Sequence, residues 1–165
     1  MAISKKIIKY LDDNKYRYEV IQHRTTYTAW DTAQTEKVKP QEVAKSLVLK
    51  TDKDYIVAVV PSNKNLDKKK LLKIINTKRK KEDNKSVKKV EFAKETWMKK
   101  NIDGKVGATP PFAGILKTDI YVDKSLLNSS KIYLGSGEYD ASIRVSTKEY
   151  LKKENPITGS FNMKK

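Results

Sequence analysis

Lys45 is the residue whose position in the sequence best suits chemistry. It lies in residues 42–50, EVAKSLVLK, where a helical pattern gives way to an apolar strand pattern. A lysine at such a junction can be partly desolvated, and its ammonium can then act as a fixed hydrogen-bond donor to a carbonyl or phosphate oxygen. The alternative is that the long side chain carries the ammonium out to solvent, as most lysines do.

Two glycine-containing loops are the other places where donors could be fixed. Residues 106–114, VGATPPFAG, give the strongest loop signal in the chain, and there Gly107 precedes Pro110 and Pro111. A rigid, concave loop of this kind can present a backbone N–H to an oxyanion, although it can also be a simple connector. A second loop, GSGEYD, covers residues 135–140.

The composition excludes most other catalytic chemistry. The chain has 165 residues, no cysteine and a single histidine, His23. A disulfide scaffold, a thiol nucleophile and a cysteine-ligated or three-histidine metal site are therefore excluded, and a Ser-His-Asp relay would have to use His23. There is no phosphate-binding loop and no Gly-x-Ser-x-Gly elbow, and the second glycine loop lacks the third glycine of a dinucleotide fingerprint. We expect neither a metal nor a cofactor.

The elements that must position these residues read as a mixture of helices and strands. Residues 46–50 and 55–60 are apolar strands joined by a short polar connection, which predicts a hairpin. Helices are predicted at 4–15, from Thr28 or Asp31, after Asn65 or Asp67, at 93–101 and, capped by Thr147, near the end; further short strands are predicted at 18–21, 87–90, 120–122, 132–134 and 142–145. This pattern favours an α+β fold around a mixed sheet. We expect a single domain over residues 1–165, with a loose tail from about residue 155.

The positive charge of the chain points to a polyanionic partner. The formal net charge is +16, and residues 64–100 contribute 14 lysines and one arginine against five acids. A dense basic stretch on helix and loop can contact nucleic-acid phosphates. The alternative is a solvated face whose lysines reflect A/T-rich codon usage. The candidate phosphate-contacting residues are Lys68, Lys69, Lys70, Lys78, Arg79 and Lys80.

The chain carries no sign of a membrane segment. No apolar run approaches the ~18 residues of a membrane span. The N-terminal residues also lack the long apolar stretch of a secretory signal. We expect a cytoplasmic protein without a membrane partner.

Four segments, taken in order, resemble the YbaK/ProX superfamily of aminoacyl-tRNA deacylases, whose fold also occurs as the editing insertion of bacterial prolyl-tRNA synthetases. They are HRTTYTA at 23–29; VAKSLVL at 43–49; AVVP at 58–61, followed by LDKKKL at 66–71; and VGATPPFAG at 106–114, followed by IYVD at 120–123 and GSG at 135–137. Each segment alone is weak evidence for the family, whereas four segments in the family's order and at similar spacings are fairly specific evidence. Several family members carry a histidine in the last glycine loop, and this chain has none there.

The resemblance implies a barrel-like mixed sheet flanked by helices, and hydrolysis of the ester that joins an amino acid to the terminal adenosine of tRNA. It implies that Lys45 holds the 3′ end or the carbonyl of the substrate and that Gly107 supplies a backbone donor. The remaining residues that it places around the substrate are His23, Thr25, Thr26, Ser46, Pro110, Pro111, Gly135, Ser136 and Gly137. The implied partners are the acceptor end of tRNA and an aminoacyl-tRNA synthetase. A non-catalytic RNA-binding module and a synthetase-associated adaptor remain the alternatives.

Overall fold

A computed structural model describes residues 3–165. The helices are α1 (Lys5–Asp13), α2 (Ala29–Glu36), α3 (Lys68–Lys81), α4 (Glu95–Asn101), α5 (Ala113–Leu116) and α6 (Thr147–Glu154), with 3₁₀ turns at Pro40–Glu42 and Lys124–Asn128. The strands are β1 (Tyr18–Gln22), β2 (Ala44–Thr51), β3 (Tyr55–Pro61), β4 (Lys64–Leu66), β5 (Val90–Phe92), β6 (Ile120–Asp123), β7 (Lys131–Gly135), β8 (Ala141–Ser146), β9 (Ile157–Gly159) and β10 (Asn162–Lys164). No helix within residues 3–165 is both long and apolar enough to cross a bilayer.

The central sheet has five strands in the order β5-β2-β3-β6-β9. β2 and β3 form the predicted antiparallel hairpin, in which Lys45 lies opposite Val60 and Lys50 opposite Tyr55. β3 pairs with β6, and β6 pairs with β9; both pairings are parallel. The sheet is therefore mixed, and the α+β prediction is confirmed.

The described strands form three sheets and do not close into a barrel. A second sheet has the order β1-β8-β7, and β10 pairs with β4 in a third. Val43, the residue just before β2, forms an isolated parallel β-bridge with Tyr133 of β7. This bridge brings the second sheet against the start of β2. This junction matters because both glycine loops and α2 meet there.

Alternation along the central strands divides the core into two layers. Ala44, Val48, Val57 and Val59 pack into one apolar cluster, whereas Leu49, Ile56, Ala58 and Val60 pack into the other. Successive side chains of a strand point to opposite faces, so neighbours on β2 enter different layers. Helix α3 covers the second layer with its buried face, Leu71 and Ile75.

Side-chain caps fix where most helices begin. Ser4, Thr28 and Asp67 accept hydrogen bonds from the backbone N–H three residues on, which confirms three predicted starts. The last helix differs, because its cap is Ser146, which accepts from Glu149, and Thr147 is already its first residue.

The tail differs from the loose segment that we expected from about residue 155. The chain continues into β9 and β10, and Phe161 between them is fully buried. The backbone N–H of Phe161 donates to Asp123 Oδ1 at 2.8 Å, and Asn162 donates to the other carboxylate oxygen at 2.8 Å. The buried ring of Phe161 and the buried carboxylate of Asp123 therefore anchor the C-terminal segment, although its polar composition predicted a loose tail.

Candidate active site

A cavity lies where α2, the start of β2 and the two glycine loops meet. The cavity is small, with about 40 Å³ open to the centres of water-sized molecules. Its walls combine hydroxyl-bearing and small side chains with one histidine and one carboxylate. The lining residues are His23, Thr26, Tyr27, Thr28, Ala29, Thr32, Val43, Ala44, Gly107, Ala108, Tyr133, Leu134, Gly135, Glu138, Ala141 and Ser142.

The loop before α2 is tied to the second glycine loop. The backbone N–H of His23 donates to Asp140 O at 3.0 Å, and that of Thr26 donates to Tyr139 O at 2.8 Å. Thr26 Oγ1 also lies 2.7 Å from Thr32 Oγ1 on α2. These bonds hold one wall of the cavity in a fixed position relative to the other.

Glycine allows the two glycine loops to approach their neighbours. Gly107 has φ +89°, and a Cβ on it would lie 3.0 Å from Tyr27 O. A Cβ on Gly135 would lie 2.5 Å from Thr109 O, a distance that side chains do not tolerate. The Gly107 N–H donates no hydrogen bond within residues 3–165. Gly107 is therefore a residue of the cavity lining whose backbone donor is unused.

His23 is held in one orientation. Its Nδ1 lies 2.6 Å from Arg24 O, and because a carbonyl oxygen can only accept, Nδ1 carries a proton. Its Nε2 lies 3.3 Å from Ser142 Oγ, so in the neutral ring this nitrogen accepts from the serine hydroxyl. The histidine side chain is 4% exposed.

A buried carboxylate, Glu36, stands behind His23. Glu36 Oε1 lies 3.8 Å from His23 Nε2, and its side chain is 3% exposed. Neither carboxylate oxygen has a hydrogen-bond partner within residues 3–165. Burial raises the pKa of Glu36 above its usual value, although a positive charge on protonated His23 and the neighbouring Ser142 hydroxyl oppose the shift.

Lys45 does not line the cavity, although the residue before it does. Its Nζ donates to Lys64 O at 2.7 Å and lies 3.5 Å from Asn65 Oδ1. Alternation explains this placement, since Ala44 and Lys45 point to opposite faces of β2. Burial lowers the pKa of the Lys45 ammonium, and the positive charge of Lys165 lowers it further. The side chain is thus half-buried, in agreement with the partly desolvated lysine that the sequence predicts.

The structure brings four of the other predicted residues to the cavity, namely His23, Thr26, Gly107 and Gly135. The remaining predicted substrate-binding residues, Thr25, Ser46, Pro110, Pro111, Ser136 and Gly137, lie outside it. Ser136 is fully buried and donates to Ala141 O at 2.6 Å, so it stabilises the turn of its loop. Gly137 faces a neighbouring cleft beside α1.

Sequence reasoning missed several lining residues. Tyr133 lies in a strand whose apolar pattern gave no functional signal. Thr28 and Thr32 are four residues apart at the start of α2, so they lie on one side of that helix. This pair of hydroxyls was the sequence signal that could have predicted a polar cavity wall there.

The predicted basic surface divides into engaged and exposed residues. Lys78 Nζ binds Glu82 at 2.9 Å and Asp119 at 3.2 Å, and Arg79 Nε donates to Lys85 O at 2.5 Å. Lys68 lies 3.3 Å from Glu91. The other three predicted residues, Lys69, Lys70 and Lys80, are exposed.

Comparison with known proteins agrees with the four-segment resemblance. The aminoacyl-tRNA editing domain family matches residues 23–153. The chain therefore belongs to the aminoacyl-tRNA editing domain family, also known as the YbaK family. A search by sequence against curated proteins finds no match.

Solved structures share the fold. Hypothetical protein APE2540 superposes with a TM-score of 0.80 at 19% identity, covering 96% of this chain and 100% of that one. A candidate trans-editing enzyme for prolyl tRNA synthetase gives a TM-score of 0.77 at 18% identity, covering 98% and 99% of the two chains. A scaffold protein used for computational epitope grafting gives 0.77 at 17% identity, with 96% of each chain covered.

Proposed function

We propose that this chain, as a single domain over residues 1–165, hydrolyses in trans the ester between an amino acid and the terminal adenosine of a mischarged tRNA. The observation that carries the proposal is the lining of the cavity. It combines residues of three of the four segments that resemble the family, at 23–29, 43–49, and 106–114 with 135–137. These segments are far apart in the sequence, and the fold gathers them around one small space.

Hydrolysis of an aminoacyl ester needs no protein nucleophile, because the ester is already activated. A water oxygen attacks the carbonyl carbon, the bond from that carbon to the ribose oxygen breaks, and the ribose oxygen leaves with a proton. The products are the free amino acid and uncharged tRNA. Catalysis then requires placement of the water and stabilisation of the developing oxyanion. The unused N–H of Gly107 is the donor that we assign to that oxyanion.

Lys45 would position the 3′ end of the substrate beside the cavity. Its neighbour Ala44 lines the cavity, and its own ammonium is fixed on Lys64 O at 2.7 Å. Contact with a phosphate or ester oxygen would replace that carbonyl contact. His23 and Thr26 line the part of the cavity formed by the loop before α2, where the Thr26 hydroxyl oxygen can accept a further hydrogen bond from a water.

The partner in this proposal is the acceptor end of tRNA in the cytoplasm, delivered free or together with a synthetase. The net charge of +16 supports a polyanionic partner, and the exposed lysines of α3 are available to phosphates. A-form RNA offers shape and phosphates more than readable base edges, so we expect recognition of the stem to depend on charge.

Deacylation of a panel of charged tRNAs tests the proposal. We expect the purified protein to release the amino acid from at least one mischarged tRNA faster than buffer does. RNA binding with turnover on no member of the panel would instead identify a binding module. Capture of a synthetase with neither activity would identify an adaptor.

A further inference from the structure

Tyr27 combines an exposed side chain with a fixed backbone at the mouth of the cavity. It is 66% exposed, although it also lines the cavity. The residues on either side are anchored, because Thr26 N–H donates to Tyr139 O and Thr28 caps α2. An aromatic ring held in water by a rigid loop offers an apolar surface to a partner.

The ring of Tyr27 is supported from one side by a second aromatic residue. Tyr139 lies edge-to-face with it, with ring centroids 4.8 Å apart. Tyr139 is fixed in turn, since its hydroxyl donates to Val106 O at 2.6 Å. The ammonium of Lys105 lies 5.5 Å from the centre of the Tyr139 ring and 3.2 Å from Glu138 Oε2, so the cation beside the aromatic pair is itself ion-paired. An exposed aromatic ring in a fixed position is the kind of surface on which unpaired nucleobases stack.

We propose that Tyr27 stacks on the terminal nucleobase of the acylated RNA while the acyl group occupies the cavity. This inference rests on the proposed function. The acyl group and the terminal base are attached to the same ribose. When the acyl group enters the cavity, the base must therefore lie beside its mouth, where Tyr27 is exposed.

The other exposed aromatic residues fit this role less well. Trp30 is 40% exposed, but the ammonium of Lys165 already lies 4.7 Å from its ring centre. Phe92 is 52% exposed, but the ammonium of Lys68 lies 5.0 Å from its ring centre, and its strand pairs with β2 at Leu49, toward the end of β2 away from Ala44. Phe92 is consequently a matched control, an exposed ring away from the cavity.

The experiment uses an uncharged RNA hairpin that ends in an unpaired strand with 2-aminopurine as its last base. Stacking on an aromatic ring quenches the fluorescence of this base, so the signal does not depend on catalysis. We expect quenching by the wild-type protein, by Tyr27→Phe and by Phe92→Leu. Tyr27→Leu should abolish quenching and weaken affinity by about 5- to 150-fold, the range typical for losing one stacked base. Because Tyr27 is exposed, the variant should retain the wild-type circular dichroism spectrum.

The outcomes separate this inference from the proposed function. Hydrolysis of a charged tRNA without quenching by the wild-type protein would overturn stacking and leave the hydrolase intact. Quenching that survives in Tyr27→Leu would also overturn it. Quenching that depends on Tyr27, with no hydrolysis of any charged tRNA, would support stacking and reject the hydrolase.

Discussion

At the scale of single residues, two ionisable groups lie near the cavity without lining it, and burial shifts the pKa of each toward the uncharged form. Lys45 has a lowered pKa and Glu36 a raised one, in both cases first of all because burial disfavours the charged form. Such shifts are enriched where proteins do chemistry, although structural ion pairs produce them too. The role of Lys45 is therefore tested by measuring turnover, and the burial of Glu36 by measuring the free energy of unfolding.

Replacing Lys45 tests its role in positioning the substrate. We expect Lys45→Ala to lower turnover by about 10²–10³, the typical cost of removing one fixed donor. Lys45→Arg should not rescue it, because this half-buried position fits a compact ammonium and a larger, planar guanidinium cannot take its place. Lys50→Ala, at an exposed position on the same strand, is the control and should stay active. A fully active Lys45→Ala would show that the residue has no part in the reaction.

Replacing Glu36 tests the cost of its burial. A carboxyl whose pKa is raised by folding binds its proton more tightly in the folded state, so stability falls as pH rises from about its ordinary value of 4.5 to the raised value. Above that window the penalty is constant. Glu36→Gln should therefore be more stable than wild type in urea unfolding at pH 8 and equal to it near pH 3. A less stable variant at pH 8 would mean that the interaction with His23 outweighs the desolvation of Glu36.

At the scale of elements, the cavity depends on how closely loops approach each other. Gly135 ends β7 where a Cβ would contact the backbone of Thr109. Backbone cannot move aside as a side chain can, so the loop over residues 106–114 must shift to accept any larger residue.

Gly135→Ala should consequently destabilise the protein by about 1–3 kcal/mol, as overpacking does, and should lower turnover further by displacing Gly107. The control is Gly159→Ala, where the nearest atom is also 2.5 Å away but is the flexible end of the Ile74 side chain. We expect a smaller loss of stability there and unchanged turnover per folded molecule. Thermal unfolding and deacylation measure both effects, and equal losses in the two variants would contradict this account.

The elements that carry the site follow from sequence more directly than the site itself does. The β2–β3 hairpin and the capped start of α2 are local features, encoded in apolar runs, a polar turn and Thr28. The bridge from Val43 to Tyr133 joins residues 90 positions apart, and no local pattern specifies it. The same holds for the buried pair of His23 and Glu36, and for β10, whose pairing with β4 depends on Asp123 and Phe161. The half-burial of Lys45 could be predicted from the sequence. Its separation from the cavity could not, because that depends on the face of β2 to which each side chain points.

At the scale of the whole molecule, the positive charge is divided between ion pairs and exposed lysines. Lys78 binds two carboxylates of the chain itself, whereas Lys69, Lys70 and Lys80 are exposed on the same helix. Only cations that are free to release counterions from RNA contribute to the salt dependence of binding.

We therefore expect Lys69→Gln, Lys70→Gln and Lys80→Gln together to weaken tRNA binding and to reduce the salt slope by about 0.7–0.9 per lost phosphate contact. Lys78→Gln should leave the slope unchanged. Turnover at saturating tRNA should survive in both variants, because the exposed lysines lie outside the cavity. An unchanged slope in the triple variant would show that these lysines are a solvated face.

The central claim is that the cavity between α2 and β2 is where an aminoacyl ester is hydrolysed, and blocking it is the most direct test. Ala29 lines the cavity from the first turn of α2 and is partly buried against the small cluster of Ala33, Val43 and Tyr133, so Ala29→Leu adds bulk at the cavity, and the folded fraction of the variant is checked by circular dichroism. The measurement is the rate of amino-acid release from the best substrate of the tRNA panel, compared between wild type and this variant at equal folded concentration. We predict rapid release by wild type and a loss of at least about tenfold in Ala29→Leu, with RNA binding retained, because the acyl group no longer fits. Release that is equally fast in a folded Ala29→Leu protein would contradict the account.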